Sequence, residues 1–343
     1  MTDSAADRSS TPDAAGSGRA HPLAAWSNPG RFYKGNLHTH STRSDGRLSP
    51  EQIANAYRER GYDFFALTDH FQPETHFRKN ADPASYITVS DTRDFRTDAF
   101  TTILGAELHG PRMANGDIWH ILAVGLPLGF APLGEGETGL EIARRALDAG
   151  AYIAIAHPAW SLLPMEDARE AAAFAHAVEI YNHGSLGEVD RGDSWHTLDL
   201  LSQEGFRLTA CATDDAHIEF PDYPDSWTAD AFGGWVQVKA ESLDPDALLA
   251  ALKAGAYYSS TGPRIHDVSV DDDHLIVECD PAVQVFATGR GARNIRVRGG
   301  EITQASFPLE SFSQRGGGFM RVTVVGEDGG RAWTHPIWLD ELG

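Results

Sequence analysis

Histidine and carboxylate side chains occur at the ends of several predicted strands, where they could bind metal ions. The runs that carry them are Leu37-His38-Thr39-His40, Leu67-Thr68-Asp69-His70, Gly105-Ala106-Glu107, Trp119-His120-Ile121, Ile155-Ala156-His157-Pro158 and Thr213-Asp214-Asp215-Ala216-His217. Residues two apart in an extended segment point to the same face, so His38 and His40 can converge on one ion. Asp45 follows them in the turn Ser44-Asp45-Gly46.

Each of these motifs also has a purely structural explanation when it is taken alone. An isolated His-x-His pair is often an accident of the surface or core, Asp45-Gly46 is an ordinary turn signal, and His157-Pro158 can simply end a strand. Active sites of parallel barrels lie at the carboxyl ends of the strands, and titratable groups gathered in one cavity are costly to bury unless a cation compensates them. The combination of motifs therefore predicts a metal cluster. His76 and His109 are interpreted as loop histidines outside it.

The elements that must position these residues alternate between short apolar runs and helices. The apolar runs are 64–67, 102–104, 118–126, 151–156, 177–181, 208–212 and 235–238. Helices are expected to begin at the capping boxes after Ser49 and Thr138, and at Asp244-Pro245, and to end at Gly61, Gly150 and Gly255. Strands separated by helices predict βαβ units and an α/β fold with a parallel sheet or barrel.

Changes in composition divide the chain into three parts. Residues 1–30 are rich in Ala, Ser, Asp, Gly and Pro and lack any regular period, so we expect a disordered tail. Residues 31–263 hold the α/β pattern. Residues 264–343 contain short alternating runs between Asp- and Gly-rich turns, which predicts a small all-β, sandwich-like domain.

Composition excludes several classes of protein. Hydrophobic residues make up 41% of the 343 residues, but no run approaches the roughly 18 apolar residues of a membrane helix. The net charge of −21 argues against nucleic acid or anionic lipid as the main partner and favours a small-molecule substrate. The two cysteines are too few for a disulfide framework or a cysteine zinc cluster, which fits a reducing, cytoplasmic setting.

The order of the motifs resembles the PHP (polymerase and histidinol phosphatase) superfamily of metallohydrolases. The resemblance covers roughly residues 33–263 and rests on the His-x-His pair with its following Asp-Gly, then Thr-Asp-His, a Glu, a His, a His-Pro and the final Asp-x-His. The segment Tyr33–His40, the Ser260-Thr261-Gly262-Pro263 corner and the C-terminal Ala332–Trp338 resemble the branch of stand-alone phosphoesterases and carbaryl-type carbamate hydrolases. The resemblance implies a distorted (βα)7 barrel with a small all-β C-terminal domain.

The resemblance also implies a ligand for every position of a trinuclear centre. His38 and His40 would bind one metal with Asp215, and Glu107 would bridge to a second metal held by His120 and His157. Asp45, His70 and His217 would hold a third metal. Such a donor set suits two or three divalent ions, and Zn²⁺, Mn²⁺ and Fe²⁺ all fit it.

The function that follows is metal-dependent hydrolysis, with a phosphoesterase that acts on a small phosphate ester as the leading hypothesis. Metals about 3.5–4 Å apart can share a hydroxide, which would be the nucleophile. Asp69, which could instead orient a ligand imidazole, and His183 are the candidate catalytic acids, and Lys34, Arg43 and Arg264 are the candidate phosphate-binding residues. A carbamate or aryl-ester hydrolase, a non-catalytic metal-binding module and a nuclease are alternatives. The insertion 218–232, with Tyr223 and Trp227, could wall the site or pack on the β domain.

Overall fold

The computed structural model describes residues 23–72, 87–218, 230–314 and 318–342. In it, strands and helices alternate, as the sequence predicts. The helices are α1 (Ala24–Ser27), α2 (Pro50–Glu59), α3 (Gly139–Asp148), α4 (Met165–Ala172), α5 (His183–Val189), α6 (Trp195–Gln203) and α7 (Pro245–Lys253). The first ten strands are β1 (Arg31–Asn36), β2 (Phe64–Leu67), β3 (His70–Phe71), β4 (Thr101–Gly110), β5 (Trp119–Val124), β6 (Tyr152–Ile155), β7 (Ala177–Asn182), β8 (Thr209–Thr213), β9 (Trp235–Ala240) and β10 (Tyr257–Ser260). This is a mixed α/β fold, as expected.

Local sequence signals set the helix boundaries. Ser49 accepts from the backbone N–H of Gln52 and the Gln52 side chain accepts in return, which forms the predicted capping box. Thr138 and Glu141 form the second box. Gly150 follows α3 with a φ of 97°, a left-handed conformation that glycine adopts without strain. No described helix is both long and apolar enough to cross a bilayer.

The sheet is mixed rather than all parallel. β1, β2 and β4 run parallel, as do β6, β7 and β8, but β5 is antiparallel to both β4 and β6. A short connection such as 111–118 allows an antiparallel return, whereas parallel strands need a crossover. Beyond the ends of β1 and β8, a parallel bridge joins Thr39 to Ala216. This bridge brings the chain after the first strand beside the chain after the eighth.

The C-terminal residues form antiparallel strands, as predicted, and they extend the same sheet. These strands are β11 (Ile265–Asp271), β12 (His274–Gly289), β13 (Asn294–Pro308), β14 (Phe319–Val325), β15 (Arg331–Trp333) and β16 (Ile337–Trp338). Leu275, Val285 and Phe307 belong to their shared apolar core. β15 pairs with β10, so the ladder continues into the α/β part. The domain boundaries and the sandwich-like arrangement stay predictions.

The expectation of an irregular tail through residue 30 is wrong for its last residues. Residues 1–22 lie outside the described part, but Ala24–Ser27 form α1. Leu23 is buried in the C-terminal core, and the Trp26 ring stacks on Tyr258 with 5.8 Å between ring centroids. The short apolar group from Leu23 to Trp26 thus gains enough contact to order the chain, although the surrounding composition is polar.

Candidate metal centre

The His-x-His pair lies directly after β1, and both imidazoles reach the segment after β8. His38 and His40 are fully buried. Their Nε2 atoms lie 3.2 Å and 2.9 Å from Oδ1 of Asp215. The backbone N–H of Asp215 donates to the carbonyl of His38, so the bridge between the two segments fixes this contact. The structure therefore brings together the three residues predicted to share the first metal.

Glu107 lies at the middle of the cluster, on β4. Its Oε1 is 2.8 Å from Nδ1 of His120, on the neighbouring β5, and 3.1 Å from Nε2 of His157, which follows β6. Its Oε2 is 3.5 Å from Nε2 of His38. One carboxylate thus faces both predicted groups, as a bridging ligand would. His157 has a φ of 25°, a strained backbone conformation of the kind that concentrates at functional sites.

The third predicted group lies beside the first. Asp45 Oδ2 is 3.3 Å from Nε2 of His70, and Asp45 Oδ1 is 3.3 Å from Nε2 of His217. His40 joins the group, because its ring lies 4.3 Å from the rings of both His70 and His217. The side chains of His217 and Asp45 are 27% and 18% exposed, whereas His38 and His40 are inaccessible. The cluster therefore opens towards solvent on the side of Asp45 and His217.

Two buried atoms in the cluster indicate that the residues fit a cation. Within the described residues, His38 Nε2 and Glu107 Oε2 are buried and form no hydrogen bond. Buried polar atoms without a hydrogen bond are costly in the interior, although Oε2 of Glu107 also lies 2.7 Å from Nδ1 of His70. A divalent ion between them would satisfy both. The nitrogen and oxygen donors match the preferences of Zn²⁺, Mn²⁺ and Fe²⁺.

Mutual electrostatics keep the carboxylates ionised. Burial would raise the pKa of Glu107, but His70 and His120 lower that pKa well below its usual value. Burial would likewise raise the pKa of Asp215, and His38 and His40 lower it instead. Metal ligands must be deprotonated, so both carboxylates are in the form that can bind an ion.

The histidines divide into two classes. Burial, together with the neighbouring His217 and His70, lowers the pKa of His40 to about 4. Burial would lower the pKa of His70 as well, but Glu107 and Asp45 outweigh it and raise that pKa to about 10. The imidazole of His40 is therefore neutral at pH 7, whereas a cation that binds at His70 must displace a proton.

A buried carboxylate that we did not predict holds the first histidine. Glu179 lies inside the apolar strand β7, and its Oε1 is 2.8 Å from Nδ1 of His38. Its Oε2 accepts from the backbone N–H of His157 at 2.6 Å and from Nδ2 of Asn182 at 3.0 Å. Thr213 donates to Oε1. A carboxylate behind an imidazole fixes its tautomer and orientation, which leaves Nε2 of His38 facing the cluster.

The predicted acids lie outside the cluster contacts. The carboxylate of Asp69 accepts from the backbone N–H of Ser41 at 2.7 Å and from the hydroxyls of Ser41, Ser44 and Ser90. It therefore holds the loop between His40 and Asp45 in place, and Ser44 Oγ, which donates to it, lies 3.5 Å from Nδ1 of His40. Its predicted roles stay predictions. His183 begins α5, and its Nδ1 is 3.0 Å from the Tyr181 hydroxyl.

The predicted phosphate-binding residues are not brought together at the cluster. Lys34 and Arg264 line a separate cavity of about 410 Å³, none of whose lining residues is a predicted metal ligand. The Lys34 ammonium lies over the rings of Tyr62 and Trp235, and Arg264 pairs with Asp280. Arg43 alone is near the centre, exposed on the loop between His40 and Asp45.

Aromatic side chains border the cluster at one place that we did not predict. The Trp160 ring lies 5.0 Å from the His157 ring and 5.5 Å from the His120 ring, and its Nε1 donates to Glu188 on α5. Trp160 is partly exposed. Tyr223 and Trp227 of the predicted aromatic insertion lie outside the described residues.

Comparison with known proteins yields short or distant similarities. No family model matches the chain. A stretch of 39 residues is 51% identical to the DNA polymerase/3'-5' exonuclease PolX of Bacillus subtilis, and it spans 11% of this chain and 7% of that relative.

Solved structures are similar at low sequence identity. A two-domain protein from Bacteroides vulgatus containing a predicted PHP-like metal-dependent phosphoesterase shares 16% identity and a TM-score of 0.49, over 92% of this chain and 96% of that one. An amidohydrolase from Chromobacterium violaceum shares 17% identity and a TM-score of 0.37, over 55% and 89%. The description of the first structure uses the name of the superfamily that the order of the His, Asp and Glu motifs in this chain resembles.

Proposed function

We propose that the chain is a metal-dependent hydrolase, and that its substrate is a small phosphate ester. The observation that carries this proposal is the convergence of His38, Glu107, His157 and Asp215, with two buried ligand atoms that form no hydrogen bond within the described residues. A purely structural ion would not need a cluster that opens towards solvent. The acidic surface, with its net charge of −21, favours a small ester over a polynucleotide.

The ligand assignment follows the contacts. His38, His40 and Asp215 would hold one ion, His120 and His157 a second, and Asp45, His70 and His217 a third, with Glu107 between the first two. When bound, divalent ions supply Lewis acidity and lower the pKa of coordinated water towards neutrality. A distorted barrel, with the cluster at the carboxyl ends of its strands, is the arrangement that we propose for the α/β part.

The chain's own residues would position and select the substrate. Glu179 holds His38 from behind, and Asn182 Nδ2 donates to Oδ2 of Asp215 at 3.1 Å, so neither ligand is free to turn. Substrate would enter beside Asp45 and His217, where the cluster is exposed. Arg43 lies on the loop at this opening and could pair with a phosphate oxygen.

A carbamate or aryl-ester hydrolase is the second candidate, and Trp160 favours it. An indole packed against His120 and His157 provides an apolar wall for an aromatic leaving group. Two of the three predicted phosphate-binding residues, Lys34 and Arg264, lie in a different cavity. Hydrolysis of such a substrate needs only a polarised carbonyl and an activated water.

The test is a substrate panel with defined metal content. We would strip the protein, reload it with Zn²⁺, Mn²⁺ or Fe²⁺, measure bound metal by elemental analysis, and assay p-nitrophenyl phosphate, bis-p-nitrophenyl phosphate, 1-naphthyl methylcarbamate and an oligonucleotide. We expect turnover of a phosphate ester that E107Q abolishes and that E278Q, an exposed substitution on β12, leaves unchanged. Carbamate turnover alone would favour the second candidate. A metal-loaded protein that hydrolyses nothing in the panel would contradict both.

A further inference from the structure

His109 lies next to the cluster although the sequence predicts a loop histidine. It is the second residue after Glu107 on β4, and it is 2% exposed. Alternate residues of a strand point to the same face, so His109 and Glu107 face the cluster together. His109 also pairs directly with His120 of β5, and their rings lie 4.1 Å apart. The prediction failed because β4 extends to Gly110, well beyond its apolar run.

The contact of His109 is with His70. Nε2 of His109 lies 2.7 Å from Nδ1 of His70, in hydrogen-bonding geometry. Oε2 of Glu107 is also 2.7 Å from that nitrogen, yet among the described residues this oxygen forms no hydrogen bond. The other nitrogen of His70, Nε2, is 3.3 Å from Asp45. His70 thus presents Nε2 to the group with Asp45 and uses Nδ1 for His109.

The distance between His109 and His70 is that of a hydrogen bond. Hydrogen-bonded heavy atoms lie about 2.7–3.2 Å apart, so 2.7 Å between His109 and His70 corresponds to a hydrogen bond. The geometry points to His109 as a positioning residue that accepts the Nδ1–H of His70 and so keeps Nε2 of His70 available for a metal. This inference rests on the proposed function.

The role has a specific consequence for metal binding. Loss of such an outer partner usually lowers metal affinity about 10- to 100-fold without removing the ligand. Because His109 hydrogen-bonds His70, the loss should fall on the ion held by Asp45, His70 and His217. The ion held by His38, His40 and Asp215 should keep its affinity.

A matched pair of substitutions separates the hydrogen bond from the packing of the ring. The amide of Gln reaches the place of Nε2, whereas the amide of Asn reaches only the place of Nδ1. We therefore expect H109N to lose the contact with His70 and H109Q to keep most of it. H196N, an exposed substitution on α6, is the control. If circular dichroism shows that metal-free H109N is unfolded, H109L replaces it.

The readout is the affinity and stoichiometry of Zn²⁺ binding, measured by competition with a chelating dye and by elemental analysis. The inference is supported if H109N binds one equivalent of Zn²⁺ about 10- to 100-fold more weakly and keeps the full stoichiometry at saturating Zn²⁺. In that case H109Q should bind this equivalent with nearly wild-type affinity. The inference is overturned if H109N binds Zn²⁺ like the wild type, or if its affinity for every equivalent falls equally. It is also overturned if H109N binds one equivalent fewer even at saturating Zn²⁺, because His109 would then be a ligand itself. Wild-type protein that takes up no metal would instead overturn the proposed function.

Discussion

Replacing Glu179 by Gln changes one oxygen to an NH2 group in a fully buried position, and we expect it to disable His38 as a ligand. Each carboxylate oxygen of Glu179 accepts two hydrogen bonds: Oε1 from His38 and Thr213, and Oε2 from the His157 backbone and Asn182. In either orientation, the NH2 group of the introduced amide must therefore face two donors. The substitution preserves volume, so the hydrogen-bond conflict is its main effect.

The conflict should be resolved at the imidazole. The backbone N–H of His157 cannot reverse its polarity, so the remaining oxygen of the introduced amide should stay there. The NH2 group then faces Nδ1 of His38, which must give up its proton to accept a hydrogen bond. The proton moves to Nε2, the nitrogen 3.2 Å from Asp215, and a protonated nitrogen cannot bind metal.

We expect E179Q to lower the affinity for the ion held by His38 by at least 10- to 100-fold, which corresponds to a loss of about 1.4–2.7 kcal/mol of binding free energy. Competition with a chelating dye measures the affinity, and circular dichroism of the metal-free protein reports folding. E278Q, which changes an exposed carboxylate on β12, is the matched control. A folded E179Q that binds every equivalent with wild-type affinity would refute the reasoning about the tautomer.

Three further predictions address stability, specificity and metal removal. Burial lowers the pKa of His335 to about 3, so the unfolded chain, with a pKa near 6.5, takes up its proton first. The contribution of His335 to the free energy of unfolding should be complete above pH 6.5 and should fall towards pH 3 by at most about 1.4 kcal/mol per pH unit. Urea titrations of H335N should show a weaker dependence of stability on pH, and an unchanged dependence would contradict this prediction. W160A should raise KM for aryl substrates about 2- to 12-fold and leave alkyl phosphates unaffected, whereas equal effects on both would argue against an aromatic wall. Chelation should lower Tm, since an ion present at 100 times its Kd adds about 2.7 kcal/mol, and a Tm indifferent to EDTA would count against tight binding.

The gathering of the metal-binding candidates could be anticipated because strand ends meet at one end of such a sheet. His38, Glu107, His157 and Asp215 each follow or lie in a recognisable strand, so their order along the chain was enough to predict that they converge. The resemblance to the PHP superfamily then proposed how they divide among ions. This division stays a prediction, although the contacts of Glu107 agree with it.

Residues that support the ligands were harder to predict, because their partners are distant in sequence. Glu179 lies in an apolar strand, and its partner His38 is 141 residues away. A charged residue within a buried run was the available signal. The sequence predicts a loop at His109 because the apolar run ends at residue 104. Pairing with β5 extends β4 beyond that run. Lys34 alternates onto a face where Tyr62 and Trp235 cover it, and the residue type alone could not show this.

The pairing of β10 with β15 limits how the chain can be cut. A fragment that ends near Pro263 would lose the strand that pairs with Ser259 and Ser260, and β10 would become an unpaired edge strand. It would also lose His335, whose Nδ1 accepts from the backbone N–H of Ala210 in β8. Recombinant production of residues 31–263 alone should therefore give aggregation-prone protein, and expression of the chain through Trp338 is preferable.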